Sequence, residues 1–177
     1  MYRIILSGIK HSGKSTIGWD LSSKLGLYFA DLDDLILRDA GKYETVRELY
    51  KDLGSEGFKK QEYKSLLHFL KVNKNKGFVL SLGGGTIDNE KAKNLLSGSE
   101  SEIKYFLDAH CDDLYQRIIH GGIPPFLEGN DPYLNFVNMY DRRTKMYKEW
   151  ADFNIDTRGL KPSEISSLIA DMLQNYT

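Results

Sequence analysis

Eight residues near the start of the chain restrict its fold more than any others. Gly8-Ile9-Lys10-His11-Ser12-Gly13-Lys14-Ser15 fits G-x-x-x-x-G-K-[ST], the pattern of a phosphate-binding loop. The apolar run Ile4-Ile5-Leu6 precedes it, and Ile17, Leu21 and Leu25 follow at helical spacing. Strand, glycine-rich turn and helix thus come in the order such a loop requires. Gly8 and Gly13 permit the tight turn that brings backbone N–H groups onto phosphate oxygens. The helix opening near Lys14 adds partial positive charge at its N-terminus. The Lys14 ammonium is placed to reach β- and γ-phosphates, and the Ser15 hydroxyl to ligate Mg²⁺. Lys10, His11 and Ser12, with Thr16 behind the motif, complete the candidate nucleotide site, His11 through its backbone alone.

Strand and helix patterns alternate through the remaining chain. Leu27 to Ala30 reads as a second strand ending in Asp31-Leu32-Asp33-Asp34, followed by a brief helix from Leu35 to Asp39. Val46, Leu49, Tyr50 and Leu53 share one face of a helix that Gly54 stops. A second helix, capped by Ser55, carries Phe58, Tyr63, Leu66, Leu67 and Leu70 as its apolar positions. Phe78 to Leu82 is a near-continuous apolar run, as in buried parallel strands, and leads into Gly83-Gly84-Gly85. Asp88 opens a helix through Leu96; Ile103 to Leu107 is a fourth strand; Asp112 to Ile119 is helical. Gly121 to Pro132 reads as a mobile loop, Tyr133 to Trp150 as a long helix, Phe153 to Asp156 as a last strand, and Pro162 opens the closing helix. The alternation predicts an α/β fold of three layers, with a mostly parallel, five-stranded sheet between helices. Right-handed crossovers then bring the phosphate loop, the aspartates and the glycine triplet to one edge.

Composition narrows the function classes. At 177 residues the chain is expected to form one domain, residues 1–177. A formal net charge of −1 gives no electrostatic case for nucleic acid or an anionic membrane. Four histidines and one cysteine, Cys111, make neither a metal site nor a disulfide, and Cys111 reads as a small buried residue. No apolar stretch approaches the ~20 residues of a membrane helix, and no signal-peptide pattern is present. A cytoplasmic, monomeric enzyme acting on a small molecule is the expectation.

Two clusters carry chemistry. Asp31 and Asp33 alternate, so they share a direction if the strand persists. A kinase needs one carboxylate near Mg²⁺ and gains from another that orients the acceptor hydroxyl or takes its proton. The competing reading is a helix N-cap at Asp33 with Asp34 in the first turn. Three consecutive glycines, Gly83 to Gly85, exceed what one turn requires and suggest close approach of a ligand to bare backbone.

These features in this order resemble the shikimate kinase family, small phosphate-loop kinases similar to the nucleoside monophosphate kinases. The resemblance rests on the loop with Thr16-Ile17-Gly18, on Phe29-Ala30-Asp31-Leu32-Asp33, on Glu56-Gly57-Phe58, on Leu82-Gly83-Gly84-Gly85, on Arg143 four residues before Tyr147, and on Ile155-Asp156-Thr157. It implies phosphorylation of the 3-hydroxyl of shikimate, with ATP and Mg²⁺. It assigns Lys14 to the transferred phosphoryl group, Ser15 and Asp31 to the metal, and Asp33 to shikimate's hydroxyls. Gly83, Gly84, Gly85 and Arg143 fall to the acceptor, Arg143 on its carboxylate. Helices within about 34–74 would bind the acceptor, and a lid within about 117–133 would close. Arg158, after the last strand, could stack on adenine.

The chain departs from the family twice. Lys59 stands where the family has an arginine on the acceptor carboxylate, which keeps the charge and loses the planar fork. Lys60 is adjacent. Pro124 stands where the family's lid carries an arginine that reaches the phosphates, and no lysine or arginine occurs between Arg117 and Arg142. Arg117 is the candidate replacement, with Arg142 the other. These departures leave open a different hydroxylated acid or sugar as acceptor, or a nucleotide-binding homologue with weakened catalysis.

Overall fold

The computed structural model describes residues 2–98, 101–120, 127 and 129–175. Among these residues five parallel strands lie in the order β2-β3-β1-β4-β5: β1 (Arg3–Ser7), β2 (Tyr28–Asp31), β3 (Phe78–Ser81), β4 (Ile103–Asp108) and β5 (Phe153–Asp156). Ile4 of the central strand pairs with Val79 on one side and Ile103 on the other. Side chains alternate across the sheet, so β1 to β4 each feed two cores, while the edge strand β5 packs Phe153 and Ile155 into one and exposes Asn154 and Asp156. Ile5, Phe78 and Leu80 join Leu35, Ile36, Leu66 and Phe69 of α2 (Leu32–Ala40) and α3 (Val46–Val72). Ile4, Leu6, Val79, Tyr105 and Leu107 join Ile17 and Leu21 of α1 (Lys14–Leu25) and Ile165, Ile169 and Leu173 of α7 (Pro162–Asn175). A third group, around Ile9, Phe106 and Ile87, takes in Leu114 and Ile118 of α5 (Cys111–Ile119) and Phe136 and Tyr147 of α6 (Pro132–Trp150). The expected three-layer α/β arrangement is present.

Several local expectations change. The second strand stops at Asp31, whose Oδ1 accepts from the Asp33 N–H at 3.0 Å. Asp31 is therefore the cap of α2, and Asp33 stands in the first helical turn instead of alternating along a strand. Gly54 does break the helix after Leu53: φ 65° and ψ 179° there turn α3 sharply between two arms. In the first arm only Leu49 of the expected face is buried, while Tyr50 and Leu53 face solvent. In the second arm the buried stripe is Glu62, Ser65, Leu66 and Phe69, rotated from the expected Tyr63, Leu67 and Leu70. Asp88 closes a short 3₁₀ turn (Thr86–Asp88), and Asn89 caps α4 (Glu90–Ser97), its Oδ1 accepting from the Ala92 N–H. Leu168 of the closing helix is exposed and Ser166 takes its place inside. Pro124 and most of the stretch read as a loop, 121–126 and 128, lie outside the described residues.

Candidate active site

The phosphate loop leaves β1 at the edge where all five strands end. Gly8 (φ 151°) and Gly13 (φ 89°) hold left-handed backbone, and Gly13 caps α1. His11 also has a positive φ, 66°, with its side chain exposed, in keeping with a backbone contribution. The Lys14 ammonium donates to the carbonyls of Gly8 and Ile9, both at 3.0 Å. Burial pushes its pKa down to about 8, against the pull of the Asp33 and Asp31 carboxylates. The Ser12 hydroxyl is buried in the loop with no hydrogen-bond partner among the described residues.

Next to the loop, the Ser15 hydroxyl donates to Asp31 Oδ2 at 2.5 Å. These are two hard oxygen groups beside a phosphate cradle. That donor set fits Mg²⁺, which takes one or two protein oxygens and completes its shell with phosphate and water. Among the described residues no group of three or more His, Cys, Asp or Glu could hold a metal unaided.

Asp33 faces inward from the first turn of α2. Burial raises its pKa to about 6; the neighbouring Asp31 adds to this, Lys14 opposes it, and Glu62 adds again. A β-carbon on Gly83 would stand 3.1 Å from Asp33 Oδ1 and 3.6 Å from Glu62 Oε1. On Gly84 it would stand 2.6 Å from the Lys10 nitrogen, and on Gly85 3.0 Å from Arg143 Nη2. The glycine triplet is thus bordered on its Cβ sides by the chain's own groups: acid at one end, the phosphate loop in the middle, arginine at the other. The Arg143 Nη1 donates to the Gly84 carbonyl at 3.3 Å, and the buried Tyr147 hydroxyl donates to the Gly83 carbonyl at 3.3 Å. Consecutive turns of α6 therefore grip the triplet, both through its backbone.

The acids Glu62 and Asp88 and the polar residues Thr86 and Asn89 are not among the sequence candidates. Glu62 Oε1 accepts from the Thr86 hydroxyl at 2.6 Å, and Oε2 from Asn89 Nδ2 at 2.7 Å. Burial raises the Glu62 pKa, with both hydrogen bonds opposing. The signal available in the sequence is a glutamate four residues after Phe58 and four before Leu66, on an apolar stripe.

The remaining candidates lie further out. Arg117 is exposed, and its Nη1 donates to the His11 carbonyl at 3.1 Å, which puts a guanidinium on the rim of the phosphate loop. Arg142 is engaged by Asp88. Lys59 pairs with Glu56 at 3.2 Å one turn away, and Lys60 is exposed. Arg158 is exposed in the loop after β5 and is paired to Asp156, its Nε donating at 2.7 Å. Cys111 is half-buried where the sequence suggests a buried residue, and burial, with Asp112 and Asp141 nearby, pushes its thiol up to about 11, away from the reactive thiolate.

Known proteins share both sequence and fold. The family model described as shikimate kinase matches residues 10–174. A shikimate kinase of Corynebacterium glutamicum is 29% identical, covering 97% of this chain and 96% of that protein. One of Bordetella avium is 31% identical over 98% of this chain and 79% of its own length. The solved shikimate kinase of Acinetobacter baumannii in complex with shikimate superposes with a TM-score of 0.87 at 25% identity, covering 100% of this chain and 95% of that one. That of Bacteroides thetaiotaomicron gives 0.81 at 25% identity, with 98% of each covered. A phosphate loop facing an acid-and-arginine cleft, on a five-stranded parallel sheet matched over nearly its whole length, places this chain in the shikimate kinase family.

Proposed function

We propose that this chain is a shikimate kinase, transferring the γ-phosphoryl group of ATP to the 3-hydroxyl of shikimate. The observation that carries this reading is the convergence on one glycine triplet: Asp33 against Gly83, the Lys10 backbone against Gly84, and Arg143 against Gly84 and Gly85. A hydroxylated acid bound there has its carboxylate at one end and a hydroxyl at the other, next to Lys14.

Each residue then has a task. Gly8, Lys10, His11, Ser12, Gly13 and Thr16 form the cradle for the triphosphate. Ser15 and Asp31 hold Mg²⁺, which neutralises charge on the phosphates when bound. Lys14 stabilises the charge on the oxygens in transfer. Asp33, ionised above about pH 6, orients the acceptor hydroxyl and accepts its proton. Gly83 to Gly85 offer backbone to the acceptor ring, and Arg143 takes its carboxylate with help from the charge of Lys59. Arg117, on the loop rim, supplies the guanidinium that Pro124 does not. Arg158 borders the base. Helices in 34–74 carry the acceptor side, and the segment about 117–133 is the lid of this one domain. No described helix is long and apolar enough to cross a membrane, and we place the enzyme in the cytoplasm as a monomer.

A second acceptor remains in view because Lys59 lacks the planar fork and pairs with Glu56. One experiment addresses both. Purified protein is assayed for ADP formation with Mg²⁺, ATP and either shikimate or a panel of hydroxylated acids and sugars. Shikimate-dependent ADP release with a phosphorylated product supports the reading. A better acceptor in the panel replaces it, and no transfer to any acceptor refutes it.

A further inference from the structure

Asp88 has no part in the transfer described above, yet two arginines converge on it beside the triplet. Arg142 donates from Nη1 to its Oδ1 at 2.5 Å and from Nη2 to its Oδ2 at 3.1 Å. Arg143 donates from Nε to Oδ2 at 2.8 Å, with Nη2 also 2.8 Å from Oδ2. Adjacent residues of a helix ordinarily point well apart. Here both guanidinium groups turn toward the same carboxylate, at the end of the 3₁₀ turn that follows Gly85.

The donor inventory gives this a consequence. A guanidinium has five N–H groups. In Arg143, Asp88 takes Nε–H and pairs electrostatically with Nη2, and the Gly84 carbonyl takes one hydrogen from Nη1. N–H groups remain on both terminal nitrogens for an acceptor's carboxylate. Asp88 also offsets the repulsion between two neighbouring cations. Arg142 is largely exposed and holds Asp88 from the solvent side, whereas Arg143 and Asp88 are mostly covered. Burial alone would raise the Asp88 pKa, but the hydrogen bond from Arg142 and the charge of Arg143 outweigh it and hold the carboxyl below its ordinary value.

We propose that Asp88 is the positioning residue of the acceptor subsite: buttressed by Arg142, it fixes the Arg143 guanidinium against Gly84, with N–H groups on both terminal nitrogens left for the acceptor's carboxylate. This rests on the reading of Arg143 as the carboxylate grip. With Lys59 in place of an arginine, the planar two-donor contact falls to Arg143, so its orientation governs affinity for carboxylate-bearing acceptors.

The test measures steady-state kinetics of wild type, Asp88→Asn and Arg142→Gln, with shikimate and with the analogue whose carboxylate is replaced by hydroxymethyl. Asp88→Asn is expected to raise KM for shikimate roughly tenfold to a hundredfold, the scale of losing hydrogen bonds between charged groups. The kcat and the KM for ATP stay within about threefold, and Arg142→Gln gives a smaller rise of the same kind. For the hydroxymethyl analogue, wild type and Asp88→Asn perform alike, which a general structural defect would not produce. In an Arg143→Ala background the Asp88 effect disappears. An unchanged shikimate KM in Asp88→Asn, or an equal loss with both acceptors, overturns the inference while wild-type turnover stands. A wild type that neither binds nor converts shikimate overturns the acceptor reading, and the role of Asp88 falls with it.

Discussion

Replacing Asp33 with asparagine should make the protein more stable and inactive at once, and the gain should depend on pH. The carboxyl titrates near 3.8 in an unfolded chain and at about 6 in the fold, with the attraction of Lys14 already acting on it. Below about pH 4 it is neutral in both states and costs nothing. Between about 4 and 6 the unfolded chain releases its proton while the folded one retains it, so stability falls as pH rises. Above about 6 both are ionised and the cost is constant, roughly 3 kcal/mol. The asparagine side chain has nearly the same shape and no charge to desolvate, so Asp33→Asn should gain about 3 kcal/mol at pH 7.5 and only about 1 kcal/mol at pH 4.5. For a chain of this size the larger figure corresponds to a Tm increase on the order of 6–12 °C. Urea and thermal unfolding of both proteins at the two pH values measure this directly, and a coupled assay reports the loss of transfer. An equal shift at both pH values, or a lower Tm at pH 7.5, would refute the argument that the site holds its acid at a cost to folding.

Two further outcomes follow from the same geometry. In Gly84→Ala the new methyl would lie 2.6 Å from the Lys10 nitrogen, a backbone atom, so the phosphate loop must shift; calorimetry should show nucleotide binding at least about tenfold weaker, with a stability loss of roughly 1–3 kcal/mol. With Asp33 required ionised and Lys14 protonated, kcat/KM for ATP should rise through about pH 6 and fall through about pH 8, and a flat profile between about 5.5 and 8.5 would show that neither proton governs the rate.

The phosphate loop is legible in the sequence because its chemistry fixes residue types at fixed spacing, and the middle of the sheet because β1 and β3 carry the apolar runs Ile4–Leu6 and Phe78–Leu80. The departures share one cause: neighbours in sequence suggest a role that a partner elsewhere decides. Asp31 and Asp33 alternate as in a strand, but the Asp31 carboxylate satisfies the Asp33 N–H and starts a helix there. Glu62 lies on an apolar stripe, and Thr86 and Asn89, brought in by the glycine turn, together with the charge of Arg143, make its burial tenable. Asp88 resembles a helix opener because its true partners, Arg142 and Arg143, come from the other side of the domain's cleft. Tyr50 and Leu53 have helical spacing and remain exposed to solvent.

The strand order carries a consequence for how the chain is made. Among the five strands of the sheet, the one synthesised first is the central one, and its neighbours are Phe78–Ser81 and Ile103–Asp108. Until both have been synthesised, Ile4, Ile5 and Leu6 have at least one unpaired edge and no local hairpin to cover it. Such a topology folds slowly and is most prone to aggregate while nascent. A fragment ending before Ile103 retains the whole phosphate-loop motif and only part of its sheet, and should therefore be insoluble, not a smaller nucleotide binder.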